Sequence, residues 1–333
     1  MTLSSKRIVR NDQTVNQQFA RFRELGQRVY FQPIPGNFGD DLIVMGVEEL
    51  AERNDLKFTS EMKNADHLLI KGGGALLDVY PKLLTQFKDV FHSHPDIPTT
   101  LLPTSYLLHS TSMPELVGAR SAPLHIYARE KVSYDLLKDM EFEGPVSISL
   151  DHHTAFHLQD SDFFKKLESN RTPKHVLIVE RIDPEALRNE RSFTGPVPEP
   201  SLVKKLVRSL VPGKLRSKIY QVTRNKPSPP VQSPFALEAL EVVYRDYPQF
   251  KDLPIKALDV SSSTCCQSLD EFASTIADSA VVYSTRLHVG ILAAMLNIPT
   301  YVVQGVYHKI SGIYDHTMSD MEHVRLLRNR QDS

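Results

Sequence analysis

The sequence carries no surplus of charge of either sign: 39 Lys and Arg stand against 40 Asp and Glu, a formal net charge of −1. A dedicated nucleic-acid binder usually has a basic excess, so that class is disfavoured. Cysteine is scarce. The two present are neighbours, Cys265 and Cys266. That placement excludes an ordinary unstrained disulfide between them and fits a reducing, cytoplasmic setting. Long apolar runs are missing too. Residues 1 to 27 are polar and show no apolar h-region, so no signal peptide is expected. From Val289 to Tyr307 there is no Asp, Glu, Lys or Arg, but Gly290, Asn297, Pro299 and Gln304 interrupt the stretch. It reads as a buried helix–strand unit, not a membrane span. Two phosphate-loop patterns are absent from the glycine-rich turns, Gly-x-Gly-x-x-Gly and the Gly-Lys-Ser/Thr ending, which gives nicotinamide and P-loop chemistry little support.

What is present is an ordinary globular composition, 41% hydrophobic and 24% charged over 333 residues. Such a chain buries a core without disulfides or a structural metal, and its length suggests about two domains. The recurring pattern is a short apolar run, a turn marked by Gly or Ser, then a helix. Strands are expected at Val29 to Phe31, His67 to Lys71, Thr99 to Leu102, His125 to Tyr127 and Val146 to Ser149. A fresh series runs through His175 to Val179, Ile255 to Leu258, Ala280 to Ser284 and Thr300 to Val303, with a helix from Arg286 to Leu296. Strands alternating with helices imply parallel sheets covered on both faces. A polar break near Gln159 to Pro173 divides the two series. The expected fold is α/β, two Rossmann-like domains facing across a cleft, with boundaries at 1–165 and 166–333.

Residues 188 to 232 depart from this pattern. Ten basic residues stand there against Glu190 and Glu199, among many prolines, as in an insertion or loop. Within it, residues 202 to 211 form a cationic amphipathic helix with Leu202, Val203, Leu206, Val207, Leu210 and Val211 on one side. Such a helix either lies on an anionic membrane surface or docks on its own domain with its lysines in water, the second being the commoner case.

Three strand ends supply candidate site elements, because ligands of open α/β sheets bind beyond the carboxyl ends of the strands. The first is Gly36-Asn-Phe-Gly-Asp-Asp-Leu-Ile43, where Gly36 and Gly39 permit close backbone approach, Asp40 or Asp41 would cap the next helix, and Asn37 and Asp40 would face the cleft. The second, Lys71-Gly-Gly-Gly-Ala75, is expected to open a helix whose uncovered amides at Gly72, Gly73 and Gly74 attract an anion. The third is Ser284-Thr-Arg-Leu-His-Val-Gly290, which puts Arg286 and His288 in a first helical turn. Cations are disfavoured there by the helix dipole, so they call for an anionic partner, and arginine is the natural bidentate donor to phosphate or carboxylate. His153 and His157, four apart, read as surface or core histidines and not a metal pair, Asp160-Ser-Asp162 as a cap or linker, and the cysteines as structural. No metal site is expected.

Together, Gly36-Asn-Phe-Gly-Asp-Asp-Leu-Ile43, Lys71-Gly-Gly-Gly74, Ala128-Arg-Glu-Lys-Val-Ser133 and Ser284-Thr-Arg-Leu-His288 resemble the polysaccharide pyruvyl transferase family in content, order and spacing. Asp151 is similar to the aspartate after the family's Arg-Glu-x-x-Ser helix, Val179-Glu-Arg181 to its arginine beyond the first strand of the second domain, and His308-Lys-Ile-Ser-Gly312 to its late lysine motif. The resemblance implies a fold like that of two-domain GT-B glycosyltransferases. It also implies transfer of pyruvate from phosphoenolpyruvate, as co-substrate, onto two hydroxyls of a glycan sugar, giving a cyclic ketal in exopolysaccharide or cell-surface glycan biosynthesis. His288 would be the general acid, Arg286 and Arg181 would hold the phosphoenolpyruvate anion, and Lys309 would join Asn37, Gly39, the three glycines and Ser284 in binding substrate. The chemistry needs a proton donor and fixed cations, not a redox cofactor. The acceptor would be a glycan or lipid-linked oligosaccharide at the cytoplasmic face of a membrane, which the 202–211 helix would help to reach. Two other readings remain open: a nucleotide-sugar glycosyltransferase with Asp40 as base, and a non-catalytic glycan- or anion-binding protein on the same scaffold.

Overall fold

The computed structural model describes residues 14–181, 233–261 and 265–328. The basic segment 188–232, with the helix expected at 202–211, lies outside the described residues. The strands form two parallel sheets, built consecutively along the chain.

The first sheet takes β1 (Val29–Gln32), β2 (His67–Ile70), β3 (Gly73–Leu77), β4 (Thr99–Leu107), β5 (Leu124–Ala128) and β6 (Val146–Leu150), in the order β1-β2-β4-β5-β6 with β3 also on β4. Its helices are α1 (Thr14–Glu24), α2 (Phe38–Arg53), α3 (Pro81–Ser93), α4 (Met113–Val117) and α5 (Lys131–Lys138). Val15, Phe19 and Phe22 of α1 and Val47 and Leu50 of α2 bury against Val29, Leu69 and Leu102. Leu84, Phe87 and Phe91 of α3 bury with Leu68, Leu101 and Ile126. Successive strand residues point to opposite faces, so strands apolar at every position need cover on both, and they have it.

The second sheet runs β11-β10-β9-β7-β8, from β7 (His175–Val179), β8 (Ile255–Ala257), β9 (Ser279–Ser284), β10 (Thr300–Val303) and β11 (Val324–Leu327). It is covered by α7 (Pro234–Asp246) on one face and by α8 (Leu269–Ala277) and α9 (Leu287–Met295) on the other, with α10 (Lys309–Ile313) beyond β10. The uncharged stretch from Val289 is thus α9 and β10, both buried. Neither Cys265 nor Cys266 is in a disulfide, and Cys266 sits in the core with Phe272 of α8.

Three local expectations need correction. The triple glycine does not open a helix: Gly73 and Gly74 begin β3, which pairs with the far half of β4 while β2 pairs with the near half. Lys71 and Gly72 are the joint between these two strands, and a Cβ on Gly72 would come within 2.3 Å of the Leu102 carbonyl oxygen. The N-cap of α2 is Asn37 and neither aspartate, although Asp40 takes part in the capping box. The Asn37 side chain accepts from the Gly39 amide at 2.8 Å, and Asp40 closes the box by accepting from the Asn37 amide at 3.0 Å. The expected break at 159–173 contains α6 (Asp162–Ser169), started by Ser161, whose hydroxyl accepts from the Phe164 amide.

The two sheets share a core. Leu42 of α2, Ala155, Phe156 and Leu158 of a 3-10 turn at Thr154–Asp160, and Phe164 of α6 belong to one buried cluster with Leu177, Val282, Leu292 and Val302. Gly46 makes this close approach feasible, since a Cβ there would meet the Thr154 carbonyl oxygen at 2.3 Å. Helix α2 therefore lies pressed between the 3-10 turn and the start of α9, and its first turn carries the Asn37–Asp40 loop to the carboxyl ends of both sheets.

Candidate functional site

At that junction is a cavity of ≈ 170 Å³ lined from both sheets. The first contributes Gly36, Asn37, Asp40, Lys71, Gly72, Gly74, Tyr80 and Arg129, and the second contributes Arg181, Ser261, Arg286, His288 and Lys309. Five cationic side chains thus meet one carboxylate, Asp40, on the described wall.

Each cation is fixed by local structure. Lys71 is buried, and its ammonium donates to the Ile34 carbonyl at 2.6 Å and lies 3.4 Å from Asp40 Oδ1. Burial alone would raise the Asp40 carboxyl, but the positive charge around it, Lys71 included, and the Asn37 amide outweigh that and hold it below the usual carboxylate range. Arg129 follows β5, is fully buried, and donates from Nε to Ser105 Oγ at 2.9 Å. A Cβ on Gly74 would stand 3.2 Å from Arg129 Nη2 and 3.7 Å from Lys309 Nζ, so this glycine keeps the wall thin where those two cations converge. Arg181 follows β7 and crosses the cavity mouth to Tyr80 Oη at 3.2 Å. Arg286 precedes α9, and its Nε donates to Asp259 Oδ1 at 3.0 Å.

Lys309 owes its place to the neighbouring residues. Glu130, buried at the start of α5, accepts from the Ser133 amide at 2.9 Å and from the Ser133 hydroxyl, and His308 Nε2 lies 3.4 Å away. Burial opposes the Glu130 carboxylate, but His308 and Ser133 hold it below its ordinary range. Gly312 packs against the same carboxylate. The Ala128–Ser133 and His308–Gly312 motifs are thus two halves of one joint between the sheets. Asp151 serves elsewhere: its Oδ2 accepts from Thr14 Oγ1 at 2.9 Å and the Val15 amide at 2.7 Å, which anchors α1.

His288 is half-buried on the cavity wall. Burial, with Arg129, Lys309 and Lys71 adding and Asp40 opposing, drives its imidazolium down to about 3. The expected strain of a cation in a first helical turn is relieved here by neutrality. Gly39 gives the ring its room, because a Cβ there would fall 2.3 Å from His288 Nδ1. His288 Nε2 lies 3.1 Å from His153 Nε2, with the rings edge to face.

Of the residues expected from sequence, His288, Arg286, Arg181, Asp40, Asn37, Gly72, Gly74 and Lys309 come together on one wall. Gly39, Gly73 and Ser284 do not line it. Gly39 acts as a spacer for His288, and Gly73 begins β3 at a φ of 123° that favours glycine. Ser284 is consumed by its own turn, its hydroxyl accepting from the Arg286 amide at 2.9 Å and donating to the Arg286 carbonyl at 3.1 Å. Tyr80 and Asp259 stand in none of the sequence motifs, and Lys71 and Arg129 belong to the Lys71–Gly74 and Ala128–Ser133 motifs without a role of their own there. Lys71 and Arg129 carried a signal nonetheless, since each immediately follows an apolar strand. His153 reads in the sequence as a surface or core histidine; it is buried, and its ring meets that of His288. Among the described residues, no group of three or more His, Cys, Asp or Glu gathers as a metal-ligand set, and no helix is long and apolar enough to cross a membrane.

Comparison with known proteins agrees with this architecture. No curated protein matches the chain. An uncharacterized protein from Klebsiella pneumoniae is similar in structure, with a TM-score of 0.57 at 15% identity, over 94% of this chain and 98% of that one. The UDP-GlcNAc 2-epimerase from Methanocaldococcus jannaschii aligns over 97% of this chain and 88% of its own at 11% identity, with a TM-score of 0.33, too low to bear on the fold. The family model for polysaccharide pyruvyl transferase matches residues 37–304, from the Asn37 cap to the end of β10. The chain belongs to the polysaccharide pyruvyl transferase family.

Proposed function

We propose that this protein transfers pyruvate from phosphoenolpyruvate onto two hydroxyls of one glycan sugar, releasing phosphate and leaving a cyclic ketal. The observation that carries this reading is the cavity's charge: Lys71, Arg129, Arg181, Arg286 and Lys309 against Asp40 in ≈ 170 Å³. A three-carbon molecule with a phosphate at one end and a carboxylate at the other suits such a wall, because arginine forks pair with both anions.

In the reaction, His288 as imidazolium gives a proton to the methylene carbon of the enol phosphate. The adjacent carbon becomes oxocarbenium-like, and the first sugar hydroxyl adds to it and loses its own proton. The C–O bond to phosphate then breaks, and the second hydroxyl closes the ring. One of the two hydroxyl protons replaces the one given by His288, and the other leaves with phosphate. Arg181 and Arg286 hold the anion throughout, and acid catalysis of this kind contributes about 10²–10⁴-fold. His288 is neutral in the free protein, so its charge must arrive with the substrate, whose anionic groups offset Arg129, Lys309 and Lys71. The acceptor is a glycan or lipid-linked oligosaccharide.

The test is phosphoenolpyruvate-dependent phosphate release over a panel of oligosaccharides, with the product's mass checked for an added ketal. Phosphate release that needs both substrates supports the reading. Sugar transfer from a nucleotide sugar without phosphoenolpyruvate overturns it.

A further inference from the structure

We infer that His153 is a positioning residue for His288, a hydrogen-bond donor that occupies His288 Nε2 and fixes which ring nitrogen carries the proton. This rests on the reading of His288 as the proton donor. The Ala155 amide donates to His153 Nδ1 at 3.1 Å, so that nitrogen presents a lone pair. A neutral imidazole has one N–H, and with Nδ1 accepting, the proton of His153 sits on Nε2. His153 Nε2 lies 3.1 Å from His288 Nε2, and one proton between two nitrogens makes His153 the donor and His288 the acceptor. His288 therefore carries its own proton on Nδ1, the edge that faces Gly39.

This pairing acts on acidity. A bond donated to the lone pair of a neutral base favours the neutral form, because a proton added at Nε2 would meet the N–H of His153 head-on. The other charges facing His288 are Asp40 from α2, Lys71 after β2, Arg129 after β5 and Lys309 from α10, and all but Asp40 also favour neutrality. His153 itself stays neutral, pushed well below its usual value by burial and by the cations around it. His288 becomes an acid only when its Nε2 parts from His153, so this contact ties the charging of His288 to occupation of the cavity. The sequence places His153 close to Asp151 in a turn pressed on α2, and that packing delivers it to α9.

The test is two-bond proton–nitrogen correlation of the histidine rings in the free protein, which separates protonated from bare ring nitrogens and requires no substrate. The expected result is His288 protonated at Nδ1 and bare at Nε2, with His153 protonated at Nε2. His288 protonated at Nε2, or His153 protonated at Nδ1, overturns the inference. A second measurement uses variants. His153→Leu removes the donor and is expected to raise the His288 midpoint by about one pH unit, whereas His153→Gln, whose amide reaches the same place, restores the lower value. The basic limb of the kcat–pH profile shifts up likewise in His153→Leu. An unmoved midpoint in a folded His153→Leu also overturns it. Loss of phosphoenolpyruvate binding would defeat the proposed function, while the resonances of the free protein would still decide the role of His153.

Discussion

Arg286 reaches the cavity with its guanidinium already braced by Asp259, through Nε at 3.0 Å from Oδ1 and a second contact from Nη2 to Oδ2. Both residues are buried, at 9% exposure each. The brace holds a planar fork in one orientation at the edge of the cavity.

Asp259→Asn keeps the shape and removes the brace's charge. The expected outcome is a rise of about tenfold in KM for phosphoenolpyruvate, equivalent to about 1.4 kcal/mol of binding, with a smaller change in kcat. Asp259→Ala is expected to destabilise the fold by about 3–5 kcal/mol, since a buried charge loses its partner. Steady-state kinetics and thermal melts check both. An unchanged KM would show that Asp259 does not orient the fork.

A second expectation concerns the spacer. A Cβ at Gly39 would fall 2.3 Å from His288 Nδ1, so Gly39→Ala must push the imidazole or the helix aside. A displacement of about 1 Å at a reacting group costs about 10²-fold in rate. We expect kcat to fall by about that factor, with a stability loss of about 1–3 kcal/mol from overpacking. Gly26→Ala, at a left-handed φ of 61° with nothing within 4 Å, is expected to cost stability alone and leave turnover unchanged. The pair of variants separates the two effects.

Much of this site was legible because strands announce themselves. Apolar runs such as His67 to Ile70 and His175 to Val179 bury on both faces whatever surrounds them, and the residues just beyond them necessarily lie at the carboxyl edge. The misses have a common cause in tertiary pairing. Glycines have little strand preference of their own, yet Gly73 and Gly74 extend because β4 offers an unpaired edge there. The strand expected at Thr99 to Leu102 continues as β4 past Pro103 to Leu107, with the ladder to β5 irregular between Leu101 and Thr104, where proline has no N–H to give. β11 carries the charged Arg325 and lies at the sheet's edge, so its apolar signal is weak. His153 and His288 are 135 positions apart, and only the packing of α2 brings them together.

A third expectation concerns pH. His67, bonded to Thr100 Oγ1 at 2.9 Å, and His175, bonded to the Thr275 carbonyl at 3.0 Å, are each lowered to about 4, chiefly by burial. Below the unfolded value near 6.5 the unfolded chain binds protons that these folded groups refuse, so stability falls as the pH drops, until about 4. Each contributes a slope of about 1 kcal/mol per pH unit in that window. Urea unfolding of wild type and His67→Gln between pH 7 and pH 4.5 checks it, with a shallower loss expected in the variant.

The central claim is that the cationic cavity holds phosphoenolpyruvate. Calorimetric titration with phosphoenolpyruvate, on wild type, Arg181→Ala and Arg286→Ala and with a uridine diphosphate sugar as comparison, tests it most directly. The account predicts one site per chain in wild type, binding weakened at least about tenfold in each variant, and no heat from the nucleotide sugar. A wild-type protein that ignores phosphoenolpyruvate and binds the nucleotide sugar would contradict it.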